Sequence, residues 1–338
     1  MSRGVALSGG LLVTLARPAT WPLALAAFLV RGGIVLVVLP IVVLPTPVGI
    51  GNVVGPALTA VALGGMPSEA LVGAGVAIVV LLASLFGGGW LAAALEAEGA
   101  SIVASDEDIA AEDVGAMVAP GSDGQPSAAG GGRTAARILA ARLIANIPLL
   151  LVLAWGSVRL VRVTYGELTS PADVSTPIVW RVLQGTPEVI AAIVLAWMVG
   201  EMVGAVAARR IVLAGDGVRR ALVAAVARCL RHPLSALARF WIPTVVLAVV
   251  LLPSAIAASS AWSAAAATLD VLDDPLRAMI SVVALVFLWV VGLLLVGVVC
   301  AWRAAVWTIA EVRPRGTFGG SSDRRPGDWR SEGSSATL

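Results

Sequence analysis

Glu201 is the residue whose type and position in the chain are most unusual. It lies in the apolar run "WMVGEMVGAV", roughly 10 Å from the end of a predicted membrane span at 1.5 Å per residue. A carboxylate at that depth is costly and marks a functional site by default. Arg31 lies at a matching depth in another apolar run and is the natural partner. The pair forms a candidate intramembrane polar site, with a structural ion pair favoured over a role in coupling protons or substrate.

A second group of arginines flanks the predicted outer loops. Arg159 and Arg162 end the third predicted span, and Arg181 lies beside Trp180 in the next outer segment. These three residues are candidate contacts for an anionic ligand or a lipid headgroup. The alternative is that they are interface anchors whose long side chains reach the water.

A third group lies in "AARRIVLAGDGVRRALVAAVARCLRHP", residues 207–233. At 100° per residue its apolar side chains share one helical face: Val218, Leu222, Val226, Cys229 and Leu230. Its basic side chains fan across the other face: Arg219, Arg220, Arg228 and Arg231. The pattern predicts an interfacial amphipathic helix on the inner membrane surface, where these arginines contact anionic lipid.

Residue patterns typical of enzymes and metal sites are missing from the sequence. It contains no HExxH, GxSxG, P-loop or paired-His motif. Cys229, Cys300 and the lone His232 do not stand at ligand spacing. We therefore predict no catalytic, metal or cofactor-binding residues, no cofactor and no enzymatic activity. A lipid-modifying enzyme that uses the outer arginines is a remaining alternative.

Composition places these groups in a membrane protein. Hydrophobic residues make up 59% of the chain and charged residues 13%, against roughly 25% charged in soluble domains. The net charge of +2 and the scattered arginines argue against nucleic acid as a partner. The predicted partners are membrane lipids, with anionic lipid at the inner surface, and another membrane protein.

Six segments approach the roughly 20 apolar residues that cross a bilayer. They cover residues 26–44, 71–95, 143–161, 189–207, 240–258 and 276–299. The predicted fold class is therefore all-α, a polytopic integral membrane protein with six transmembrane helices.

The distribution of arginine predicts the orientation. All 23 basic residues are Arg, and the outer loops hold only Arg159, Arg162, Arg181 and Arg277, which leaves 23 minus 4, or 19, inside. The positive-inside rule then places both termini in the cytoplasm. The absence of Lys from a chain rich in Ala, Val, Leu and Gly indicates a GC-rich bacterial source, hence the bacterial cytoplasmic membrane.

Proline precedes each even-numbered span, which suggests three helical hairpins in series. Pro67, Pro187 and Pro275 stand at predicted helix starts, and Thr186 and Asp274 precede two of them as good N-caps. The intervals of 120 and 88 residues differ by 32, close to the length of an acidic insertion, so an internal repeat is predicted. The apolar outer segments between spans are half-helices or re-entrant pieces.

The predicted organisation has five parts. Residues 1–96 hold an interfacial helix and the first hairpin, and residues 97–132 are a disordered acidic cytoplasmic linker. Residues 133–208 form the second hairpin, and residues 209–310 the basic surface helix and the third hairpin. Residues 311–338 are a disordered cytoplasmic tail.

The basic stretch from Glu201 to about Ile256 resembles the inter-helix segment of bacterial six-span membrane protein families. These include the membrane domain that accompanies some glycerophosphodiester phosphodiesterases. The acid usual in the turn is displaced to Asp216 here. The resemblance implies a membrane scaffold or accessory domain and transfers no catalytic residues.

Together these patterns predict a non-enzymatic scaffold or accessory component of a bacterial inner membrane. The alternative is a small permease or lipid-handling transporter that uses Glu201.

Overall fold

The computed structural model describes residues 3–38, 68–106, 128–169, 176, 178–270 and 275–312. All of its secondary structure within these ranges is helical, which confirms the all-α prediction. Six helices are long and apolar enough to cross a membrane: Thr20–Val38, Leu71–Ala104, Ile147–Glu167, Pro187–Ala214, Pro233–Ala267 and Met279–Glu311. The chain is therefore compatible with a multi-pass membrane protein.

The helices are numbered in chain order within the described ranges. The first six are α1 (Arg3–Ala16), α2 (Thr20–Phe28), α3 (Ile34–Val38), α4 (Ser68–Ala83), α5 (Gly89–Asp106) and α6 (Ala128–Ala145). The others are α7 (Ile147–Thr169), α8 (Ile178–Gln184), α9 (Pro187–Ala214), α10 (Val218–Arg231), α11 (Pro233–Asp270) and α12 (Pro275–Val312). Two π-helical turns, Leu29–Gly33 and Ser84–Gly88, join α2 to α3 and α4 to α5.

The first apolar helix begins earlier than its predicted start at residue 26. The backbone N–H of Thr20 donates to the carbonyl of Arg17, so the chain re-enters a helix directly after the Arg17–Pro18 turn. The helix α1 before it packs on α12, since the indole Nε1 of Trp302 donates to the carbonyl of Leu7 at 3.0 Å. The residues 39–44 of the predicted first span lie outside the described residues.

The π-helical turn Leu29–Gly33 displaces the backbone at the centre of the first apolar helix. Gly32 there adopts φ +104°, a left-handed conformation that side chains with a Cβ rarely take. Val30 in this turn lies close to the second turn, Ser84–Gly88, because a Cβ built on Gly88 would lie 3.2 Å from Val30 Cγ1. The first apolar helix is therefore kinked at Gly32, directly after Arg31.

Proline and glycine delimit α9 and α12 as the sequence predicts. Pro187 and Pro275 are the first residues of these helices, and Gly215 ends α9 with a left-handed φ of +64°. Thr186 precedes Pro187, yet its hydroxyl donates to the carbonyl of Val182 at 2.8 Å and forms no cap on α9. The expected side-chain cap is therefore wrong at Thr186. Pro67 and Asp274 lie outside the described residues.

Two predicted non-spanning segments contain helix. The fifth span and the outer segment that follows it form the single helix α11, and the outer segment before α9 contains the short α8. Helix α5 also continues to Asp106 and α6 starts at Ala128, so both ends of the predicted acidic linker are helical. The alanines buried at 92, 93, 100 and 104 explain the extension of α5, because they pack inside the protein.

The main core lies where α5, α6, α9, α10 and α11 meet. Alanine dominates it, with Phe240 as its largest fully buried side chain. Gly200 lies against the junction of α6 and α7, where a Cβ built on it would lie 2.6 Å from Asn146 Oδ1. Gly200 and Gly204 therefore allow α9 to pack closely on the end of α6 within the chain.

The substitution Gly200→Ala is expected to lower the Tm of the purified protein in detergent. The added methyl meets Asn146 Oδ1 and lies 3.1 Å from the carbonyl oxygen of Ala145, and overpacking of this kind costs about 1–3 kcal/mol. Gly204→Ala is the matched control, since its nearest neighbour is Arg142 Cγ at an ordinary 3.5 Å. Equal Tm changes for the two variants would contradict the close approach at Gly200.

Candidate functional site

Glu96 on α5 is the centre of a buried network of charges. Its side chain is only 7% exposed. Arg142 from α6 donates to it twice, from Nη2 to Oε1 at 2.6 Å and from Nε to Oε2 at 3.0 Å. Arg31 from the first π-turn and Arg209 from α9 also form ion pairs with this carboxylate. One glutamate thus joins three separate helical segments.

Glu201, the predicted polar residue of α9, belongs to the same network. Arg303 Nη2 of α12 donates to its Oε2 at 3.0 Å, and Arg142 Nη1 lies 3.5 Å from its Oε1. Arg142 therefore bridges both glutamates. The predicted direct pair between Glu201 and Arg31 is not formed, because Arg31 pairs with Glu96 instead.

Arg209 is the most deeply buried cation of the network, with 3% of its side chain exposed. Its Nε donates to Thr308 Oγ1 at 3.3 Å and its Nη2 to the carbonyl of Ala304 at 3.4 Å. Together with Glu96, these oxygens accept hydrogen bonds from all three nitrogens of the guanidinium. A charge is tolerated inside a protein when it is paired and hydrogen-bonded in this way. Arg209 therefore holds α9, α5 and α12 together.

These charges line a cavity of about 380 Å³. Four guanidinium groups and two carboxylates face it: Arg31, Arg142, Arg209, Arg303, Glu96 and Glu201. The remaining wall is largely apolar and includes Phe28, Leu36, Trp197 and Trp307. With all six groups ionised, four positive charges minus two negative charges leave an excess of +2 around the cavity.

Sequence reasoning missed Glu96, Arg142, Arg209 and Arg303, since each fell at or just beyond the end of a predicted apolar segment. The mean hydropathy falls at a charged residue, so the predicted span ends there although the helix continues. The signal that would have found them is their shared position. Glu96 and Arg303 both lie eight residues before the ends of their apolar helices at Ala104 and Glu311.

A second cluster of ion pairs fixes the turn between α9 and α10. The buried Asp216 accepts from Arg210 Nε at 2.9 Å, and Arg220 Nε lies 3.3 Å from it. The buried Glu311 at the end of α12 pairs with Arg228 Nη1 at 2.5 Å and with Arg210 Nη1 at 3.6 Å. Arg228 also donates to the carbonyl of Ala310 at 2.6 Å.

This cluster changes the interpretation of the basic helix α10. Arg228, predicted to contact lipid, instead pairs inside the protein, whereas Arg219, Arg220 and Arg231 are exposed as predicted. The buried face holds Ala221 and Ala225, while Leu230 of the predicted apolar face is 75% exposed. Burial raises the pKa of the Cys229 thiol, which packs against the main core beside them.

The outer candidate residues lie on two helices and do not share the charged cavity. Arg159 Nε donates to Glu188 Oε1 at 3.2 Å with both side chains largely exposed, and Arg162 is exposed. Arg181 Nη1 lies 3.5 Å from Glu167 Oε2, which joins α8 to α7. Both interpretations of these three arginines, as contacts for an anionic ligand or lipid and as interface anchors, stay predictions.

Within the described ranges, no group of three or more His, Cys, Asp or Glu side chains is placed to hold a metal ion. No family model matches the chain, and neither a curated protein nor a solved structure matches it. The resemblance to bacterial six-span families therefore stays a prediction.

Replacing Glu96 by Gln is expected to destabilise the protein by about 3–5 kcal/mol, since it removes one partner from a buried ion cluster. Arg31, Arg142 and Arg209 lose their common acceptor in this variant. Thermal unfolding followed by tryptophan fluorescence in detergent measures the loss. Glu188→Gln, which breaks an exposed pair with Arg159, is the control and leaves the Tm unchanged. A Glu96→Gln variant as stable as this control would contradict the central role of Glu96.

Arg228 and Arg231 provide a second matched pair. Arg228→Ala removes the closest partner of the buried Glu311 and is expected to lower the Tm. Arg231→Ala changes an exposed side chain and leaves the Tm within error. If both variants unfold at the wild-type temperature, Arg228 serves the membrane surface and not the interior.

Proposed function

We propose that this chain is a multi-spanning protein of a bacterial cytoplasmic membrane that binds an anionic ligand in the cavity around Glu96 and Glu201. The activity is binding or translocation and not catalysis, so the chain acts in lipid handling or as a small permease. Both termini lie in the cytoplasm in this proposal, and the three hairpins surround the site.

The observation that carries the proposal is the charge excess of the cavity. Four arginines and two glutamates face about 380 Å³ of space, which leaves two positive charges without a matching carboxylate in that lining. Like charges repel strongly where the surroundings exclude water, and an anion in the cavity offsets that repulsion. Arginine is also the side chain best suited to bind phosphate or carboxylate with two parallel hydrogen bonds.

The four arginines divide into two roles by their exposure. The side chains of Arg209 and Arg142 are 3% and 13% exposed, and both make several contacts with protein oxygens. The side chains of Arg31 and Arg303 are 31% and 23% exposed, and each pairs with a single carboxylate. Arg209 and Arg142 therefore hold the helices, while Arg31 and Arg303 bind the ligand.

The proposed orientation puts this cavity near the inner surface. With six spans and both termini inside, the second and sixth apolar helices run from the outer to the inner surface. Glu96 and Arg303 lie on these helices, each eight positions before its inner end. An anionic ligand thus enters from the cytoplasm or from the inner leaflet. The π-turn of the first apolar helix brings Arg31 to the same depth.

A scaffold or accessory role is the second candidate, favoured by one specific observation. Every side chain from Leu71 to Gly87 is exposed, and the most apolar part of Leu71–Ala104 is 0% buried among the described residues. A helix of this kind packs against lipid or against another membrane protein. In this role the charged network only stabilises the bundle, and a stoichiometric protein partner is expected.

The proposal is tested by purifying the protein without detergent, in its native lipid, and quantifying the co-purifying small molecules and lipids by mass spectrometry. The wild type is expected to carry about one anionic species per chain. The Arg31→Gln/Arg303→Gln double variant is expected to carry at least about tenfold less of this species, because two charged hydrogen-bonding groups are removed. Arg133→Gln/Arg137→Gln, which changes two exposed arginines outside the cavity, is expected to retain the wild-type complement.

Identical complements in all three proteins would overturn the binding proposal, and a stoichiometric protein partner in all three would then favour the scaffold. If the double variant fails to fold, the single Arg31→Gln variant gives the same comparison, because Arg31 is the most exposed of the four arginines in the network.

A further inference from the structure

An apolar groove lies beside the charged cavity, between α3, α11 and α12. Its lining includes Val37, Leu251, Ala255, Trp289 and Val296. Apolar side chains and small residues dominate this surface, and Gly292 brings α12 close to α11, since a Cβ built on it lies 3.1 Å from Ser254 Cβ. The enclosed space of the groove is only about 20 Å³, so a hydrocarbon chain would lie along this surface and not inside it.

Leu36 connects the two compartments. It lines the charged cavity and also the apolar groove. It lies five residues after Arg31 and beyond the left-handed Gly32, so the π-turn places a guanidinium in one compartment and an apolar side chain between the two. A ligand that fills both compartments is therefore charged at one end and apolar at the other.

The spacing along α12 gives the length of such a ligand. The cavity is lined by residues from Cys300 to Trp307 and the groove by residues from Leu288 to Val296. From Arg303 to Val296, the nearer end of the groove, is 7 residues, or roughly 10 Å, and from Arg303 to Trp289 is 14 residues, or roughly 21 Å, at 1.5 Å per residue. One leaflet of the hydrocarbon core is roughly 15 Å deep, half of the full core. A membrane lipid with its headgroup at Arg303 therefore reaches the nearer part of the groove and not its far end at Trp289.

We propose that the ligand is an anionic glycerophospholipid, with its phosphate at Arg31 and Arg303 and one acyl chain passing Leu36 into the groove. This inference rests on the binding function proposed above and names its substrate class. The excess of +2 favours a phosphate with no compensating cation, such as phosphatidic acid or phosphatidylglycerol, over zwitterionic phosphatidylcholine.

The test uses the full chain in nanodiscs of phosphatidylcholine that contain 10% phosphatidic acid, with native mass spectrometry to count the lipids that stay bound. Glycerol 3-phosphate is the competitor, because it carries the same phosphate ester without acyl chains. We expect one phosphatidic acid per chain. Glycerol 3-phosphate is expected to compete at least about hundredfold more weakly, since it is dissolved in water and lacks the high local concentration of a lipid held in the same bilayer.

Substitutions at two neighbouring positions of α11 distinguish the role of the groove from the role of the cavity. Ala255→Phe fills the groove, whereas Ile256→Phe changes an adjacent side chain that is 65% exposed and does not line it. Ala255→Phe is expected to weaken phosphatidic acid binding at least about tenfold and to leave the binding of glycerol 3-phosphate unchanged. Ile256→Phe is expected to bind both as the wild type does.

The outcomes distinguish the inference from the function on which it rests. Equal binding of glycerol 3-phosphate and phosphatidic acid, together with no effect of Ala255→Phe, overturns the lipid assignment and leaves an anion site in place. Binding of neither probe overturns both. If Ala255→Phe lowers the Tm, the smaller Ala255→Leu substitution replaces it in the same comparison.

Discussion

Ion pairing in surroundings that exclude water is the constraint on which this structure depends. Glu96 accepts from arginines of three helical segments, and Arg142 links it to Glu201 and hence to Arg303. None of these charges is stable alone at such depth, since an unpaired ion inside a protein costs several kcal/mol. The helices are therefore held at the positions where the charges meet, and the alanine-rich core at the same level allows the close approach that pairing requires.

The same constraint underlies the proposed site. Two carboxylates pair with all four guanidiniums, yet the cavity lining keeps an excess of two positive charges. A purely structural network is expected to be balanced, because an excess of buried charge adds cost without adding contacts. In the proposed complex the apolar groove past Leu36 takes the tail of the bound anion. The charged network then serves both stability and binding, because Arg209 and Arg142 hold the helices while Arg31 and Arg303 contact the ligand.

Hydropathy alone predicts the all-α fold and six apolar helices, because span length and composition are local properties of the chain. It also identifies Glu201 and Arg31 as unusual. It does not predict which charges meet, since Glu96 pairs with Arg31 and Arg209 over separations of 65 and 113 residues. The π-turn at Gly32 and the inward-facing Arg228 were missed for a related reason. A helical wheel assumes a regular helix with a single buried face, whereas α10 buries the alanine side that packs on its neighbours.

These long separations have a consequence for biosynthesis. The first apolar helix emerges from the ribosome 65 residues ahead of Glu96, and Arg209 follows 113 residues after that glutamate. In the proposed six-span arrangement Arg31 enters the bilayer before any member of its cluster exists, and its charge makes early release of that helix into lipid unfavourable. We therefore expect the first two apolar helices to insert together, because the carboxylate that pairs with Arg31 arrives only with the second.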